Sequence, residues 1–134
     1  MGITAIKVAV VLAGTLAAGT ATAIHGGPDQ PITMISAPQL KAQLDAGRRP
    51  LLIDLRTAEE YQNGHLPRAR SIPLAQLRRR YQEIPRGRIV LYCSCPREEL
   101  DAVYRLLATA GVEMVEGLEE GFGGWVARGY PIER

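Results

Sequence analysis

The chain has 134 residues, 46% hydrophobic and 22% charged, the size and balance of one globular domain rather than a disordered or multidomain protein. Sixteen basic residues against fourteen acidic ones leave a net charge of +2, which excludes nucleic-acid or membrane-surface binding driven by bulk charge. One local excess stands out: Arg68, Arg70, Arg78, Arg79, Arg80, Arg86 and Arg88 are opposed only by Glu83. It reads as a solvated helix face and loop, with a positive field for small anions or an acidic partner as the alternative.

Residues 1–23 differ from the rest: Lys7 is their only charge, residues 8–19 are apolar and small, and Ala21-Thr22-Ala23 has the form of a cleavage site. This predicts a secretory signal and a periplasmic or secreted protein. No stable membrane domain is expected unless the signal stays uncleaved as an anchor, because its core is short and rich in Gly and Ala. Residues 24–31 form a flexible polar leader, and residues 32–134 the domain.

Along the domain, Ser36 followed by Pro38 predicts a helix start, with Leu40 and Leu44 inward and Gly47 as the stop. Leu51 to Leu55 is a buried strand. A short helix over Ala58 to Gln62 ends at Asn63-Gly64, Ser71 to Pro73 is minimally extended, and Leu74, Leu77 and Tyr81 mark another short helix. Ile89 to Tyr92 is a second apolar strand, followed by a helix from about Glu98 to Ala110 with Leu100, Val103, Tyr104 and Leu107 on one face. A strand over Val112 to Val115 and a helix near Gly121 to Ala127 complete the pattern. Alternating short strands and helices predict an α/β fold, a small open, mostly parallel sheet with helices on both faces.

Cys93 falls between the end of one strand and the start of a helix, where free backbone N–H groups and the helix dipole favour a thiolate or a sulfur-bound anion. In such sheets ligands bind beyond the carboxyl ends of the strands, so fold and chemistry point to the same place. The two cysteines, Cys93 and Cys95, are one residue apart. A bond between them would staple nothing distant, so chemistry explains the pair better than structure does. Neither a cofactor nor a metal is expected, since two cysteines and His65 at these spacings make no recognised ligand set.

The chain resembles a single-domain rhodanese. Asp54, Arg56, Glu60, Tyr61, Gly64, His65, Pro67, Ala69, Ile72 and Pro73 match that family's first motif. Cys93 matches its nucleophile, and Leu118, Gly121, Trp125, Gly129 and Pro131 match its terminal signature. The resemblance implies a rhodanese-like fold and sulfur transfer: Cys93 takes the outer sulfur of thiosulfate, a persulfide or a polysulfide. The Cys93 persulfide is held by N–H groups of the loop Ser94, Cys95, Pro96, Arg97 and Glu98, then passes its sulfur to cyanide or a thiol. The expected partners are thus small anionic or thiol donors and acceptors, with a protein thiol as one possible acceptor. Arg56, His65 and Trp125 are supporting candidates, each also explicable as structural.

The loop departs from the family's pattern. The family usually places an arginine five residues after the cysteine; here that position is Glu98, with Arg97 one place early and Pro96 lacking a backbone donor. A carboxylate ~5 Å from a thiolate costs about 3 kcal/mol at an effective dielectric near 20, so Glu98 is expected to disfavour a doubly charged donor. Two alternatives stay open: a non-catalytic binding module on the same fold, and a thiol–disulfide redox protein using Cys93 and Cys95. A phosphatase or arsenate reductase of similar topology fits the acidic loop badly.

Overall fold

The computed structural model describes residues 27–134. The signal-like segment 1–23 and the first part of the leader lie outside the described residues. The elements run β1 (Thr33–Ile35), α1 (Ala37–Asp45), β2 (Leu51–Asp54), α2 (Ala58–Asn63), β3 (Arg70–Ser71), α3 (Leu74–Arg80) with a 3-10 turn at Tyr81–Glu83, β4 (Arg88–Tyr92), α4 (Arg97–Thr109), β5 (Met114–Leu118) and α5 (Gly121–Ala127). The five strands form one sheet in the order β1-β5-β4-β2-β3, and every pairing is parallel.

The helix starts follow their local chemistry. Ser36 caps α1 by accepting from the Gln39 N–H at 3.3 Å, while the Gln39 side chain accepts from the Ser36 N–H at 3.0 Å. Thr57 and Glu60 repeat this reciprocal cap at α2. Leu40 is fully buried, whereas Leu44 is only half-buried at the rim. Leu100, Val103, Tyr104 and Leu107 of α4 are all buried, as their spacing requires. Each such side chain contributes about 1.5–3 kcal/mol when fully removed from water.

The sheet divides the core into two layers. Ile89, Leu91 and Cys93 share one cluster with Leu100, Val103, Tyr104 and Leu107 of α4 and Leu77 of α3. Val90 and Tyr92 join Ala37 and Leu40 of α1 and Trp125 of α5 in the other. This is the period-2 alternation of a strand buried on both faces. Cys93 therefore continues the row that faces α4, and Tyr92 points the opposite way.

Two elements differ most from the sequence expectation, while β3, at Arg70–Ser71, starts one residue earlier than the extended segment expected at Ser71 to Pro73. The sequence pattern does not announce strand β1; its three residues pair with Glu116, Gly117 and Leu118 at the sheet edge. Strand β5 runs from Met114 to Leu118, two residues later in starting and three later in ending than Val112 to Val115. Gly117 leaves room for the side chain of its β1 neighbour: a Cβ at Gly117 would lie 2.8 Å from Met34 Sδ.

Candidate active site

The chain leaves β2 toward β3 on one side and leaves β4 toward β5 on the other. The connections diverge between these neighbouring strands, and the crevice beyond their carboxyl ends is where such sheets bind ligands. Cys93 is the first residue beyond β4. It is 9% exposed and lies in a cavity of about 300 Å³ with Ser94, Cys95 and Arg97 from its own loop. Met34 from β1, Leu100 from α4, and Leu118, Glu119, Glu120 and Gly121 from the end of β5 complete the walls.

Within the loop the Cys95 N–H donates to Cys93 Sγ at 3.1 Å. The two sulfurs are joined as a disulfide, with Cα atoms 5.3 Å apart. Pro96 precedes the first turn of α4, and its carbonyl accepts from the Glu99 N–H at 3.1 Å. Arg97 reaches across to the residue before β1, donating from Nη2 to the Ile32 carbonyl at 3.1 Å, while Asp101 Oδ1 accepts from the Ile32 N–H at 2.8 Å. Glu98 does not behave as the sequence suggested. It is exposed in the first turn of α4 and is absent from the cavity wall. The wall's carboxylates come instead from Glu119 and Glu120. Glu120 is already engaged, accepting from the Ala37 N–H at 2.8 Å and from Arg128 Nη2 at 3.1 Å.

Arg56, His65 and Trp125 do not line this cavity. Asp54 and Arg56 form a buried bidentate pair, with Nη2 to Oδ2 at 2.6 Å and Nε to Oδ1 at 3.0 Å; Arg56 Nη2 also donates to the Gly64 carbonyl at 2.7 Å. Burial pulls the Arg56 pKa down, but hydrogen bonding and attraction from Asp54 outweigh it and hold the pKa above the ordinary arginine value. Burial, and then the Asp54 charge, push the Tyr92 phenol well above its usual range, so it stays neutral. His65 stacks on Tyr61 with centroids 3.7 Å apart, and its Nδ1 lies 2.8 Å from the Tyr61 carbonyl. Its backbone exchanges two 2.9 Å hydrogen bonds with Glu133, which fastens the C-terminal segment. Trp125 donates from Nε1 to the Pro131 carbonyl at 2.8 Å. All three belong to the loop and helix scaffold, not to the cavity around Cys93.

Contacts of Arg56 link that scaffold to the site. The Arg56 guanidinium lies 3.8 Å over the Phe122 ring, and Phe122 follows Gly121. Gly121 adopts φ +60°, and a Cβ there would stand 2.6 Å from the Cys93 carbonyl oxygen. Gly121→Ala therefore forces a left-handed conformation on an L-residue and pushes against backbone. The expected stability loss is about 1–3 kcal/mol, measured as a lowered denaturant midpoint. A variant as stable as the parent would show that α5 can withdraw freely from Cys93.

A family model described as a rhodanese-like domain matches residues 36–128, which include the whole cavity except its β1 edge. The chain belongs to the rhodanese-like domain family. This rhodanese-like domain is 30% identical over 102 residues to a sulfurtransferase from Allochromatium vinosum, covering 75% of the chain and 94% of that protein. It is 38% identical over 114 residues to an HTH-type transcriptional regulator from Mycobacterium tuberculosis, covering 82% of the chain and 47% of the regulator. The chain thus spans about half the length of that relative. Among solved structures it is similar to a rhodanese-like domain from Anabaena sp., with a TM-score of 0.65 and 29% identity over 75% of this chain and 77% of that one.

Sequence reasoning missed the far wall of the rhodanese-like site: Met34, Leu118, Glu119 and Glu120. Placing the end of β5 at Val115 left residues 118–120 away from a strand end. Carrying that strand through Gly117 would have put them beside Cys93, since in a parallel sheet each strand's carboxyl end borders the same crevice.

Proposed function

We propose that this domain is a sulfurtransferase that carries a sulfane sulfur on Cys93. The observation that carries the reading is the position of Cys93 Sγ: first beyond the central strand, within a small cavity, with the Cys95 N–H aimed at it. In the dithiol form, the Cys93 thiolate attacks the outer sulfur of the donor. The donor's S–S bond breaks, and its remainder leaves as a thiolate, or as sulfite when the donor is thiosulfate. Cys93 then holds a persulfide, the covalent intermediate that divides one hard transfer into two easier ones. A thiol or cyanide removes the outer sulfur and regenerates Cys93. The sulfurtransferase relative, matched over 94% of its length, supports this reading.

Among the described residues, the cavity wall carries one guanidinium, Arg97, against the carboxylates of Glu119 and Glu120, and Glu120 is offset by Arg128. This balance favours a donor with one negative charge, such as an alkyl persulfide, over the thiosulfate dianion, by the same repulsion first expected of Glu98. Intact-protein mass after reduction and incubation with an alkyl persulfide, and separately with thiosulfate, tests both points. One added sulfur on Cys93, gained faster from the persulfide, is expected. No added sulfur from either donor would sink the sulfurtransferase reading. The joined Cys93–Cys95 pair favours thiol–disulfide exchange as a second reading, one that reduction of insulin disulfides would reveal.

A further inference from the structure

We infer that Cys95 is the resolving thiol of this site. It attacks the inner sulfur of the Cys93 persulfide, expels the outer sulfur as hydrosulfide, and leaves the Cys93–Cys95 disulfide. The inference rests on the persulfide chemistry proposed above and adds a second fate for the sulfur. In the step, the persulfide S–S bond breaks and a new S–S bond forms between the two cysteines. The outer sulfur departs with the bonding pair and takes the Cys95 proton. Across loading and release, the two electrons that reduce the sulfane sulfur to sulfide come from the two cysteine thiols. A further cycle needs an external dithiol to reduce the disulfide.

Three observations carry it. First, the sulfurs are joined, so Cys95 Sγ reaches Cys93 Sγ within this loop geometry. Second, Cys93 is 9% exposed and walled by Met34, Leu100 and Leu118, whereas Cys95 is half-buried in the same cavity. An external acceptor entering the cavity meets the outer sulfur of a persulfide; the inner one is left to a group already inside. Third, the bond spans a sequence separation of 2, so it constrains almost none of the unfolded chain and has little structural purpose. A thiol held this close competes with external thiols at an effective concentration far above any cellular one.

The test is a single turnover on the full chain. Reduced protein, freed of reductant, is mixed with one equivalent of glutathione persulfide. Mass and released hydrosulfide are then followed in the parent, Cys95→Ser and Cys95→Ala. The parent is expected to gain one sulfur transiently, then to end two hydrogens lighter than the dithiol form, with one equivalent of hydrosulfide released. Both variants should hold the added sulfur on Cys93 at least about 100-fold longer. A parent persulfide as long-lived as the variants', or a disulfide forming equally fast without donor, would overturn the inference and leave sulfur transfer standing. Variants that fold but never gain the sulfur would instead count against Cys93 as the carrier.

Discussion

Cys93→Ser is expected to abolish sulfur transfer, lowering the rate to a thiol acceptor by at least about a thousandfold. A hydroxyl is a weak nucleophile at neutral pH and cannot carry a transferable sulfane sulfur, so both half-reactions fail together. Folding should survive. Serine is close to cysteine in size at this cavity-lining position, the lost disulfide closes a minimal loop, and the cost should stay near 1 kcal/mol. Steady-state transfer assays beside a thermal melt separate the two effects. A folded, active serine variant would refute Cys93 as the sulfur carrier.

The largest stability effect is expected at Arg56. Asp54 is fully buried and Arg56 is 6% exposed, and the pair shares a bidentate contact. Arg56→Met keeps much of the side-chain length but leaves a carboxylate buried without its cation and removes the donor to the Gly64 carbonyl. Breaking a buried pair from one side costs about 3–5 kcal/mol. Urea denaturation of Arg56→Met, Asp54→Asn and the double variant checks it. The double variant should be less damaged than the sum of the singles, because neither charge is then stranded. Additive losses would mean that each residue acts alone.

Much of this molecule was legible in its residues. The helix start at Ser36, the buried face of α4 and the Cys93 junction follow from capping chemistry and periodicity that act over a few neighbours. What escaped depended on distant packing. Thr33–Ile35 is too short to announce a strand and exists by pairing with β5. Glu116 and Gly117 are poor strand formers that remain extended because β1 and β4 hold them on either side. Glu98 was assigned to the site by its distance along the chain from Cys93. The first turn of α4 carries it outward, and the acidic wall comes from the neighbouring strand's end instead. Family motifs pointed to Cys93 but not to the residues across the cavity from it. They also grouped Arg56, His65 and Trp125 with it, although these three hold the scaffold around α2, α5 and the C-terminal segment.

Tyr92 and Cys93 are consecutive, yet they serve opposite layers of the core. A strand admits only two side-chain directions, so the thiol cannot drift by degrees between the reactive chamber and the polar cluster around Asp54. Inserting one residue within β4 would turn the phenol into the chamber and carry the cysteine a place further from the strand end, whereas deleting one would bring the cysteine to the Tyr92 position beside Arg56. Changes of length beyond Cys93 carry no such penalty. The loop from Ser94 to Pro96 is therefore the segment that can vary in length and sequence while the sheet keeps Cys93 in place.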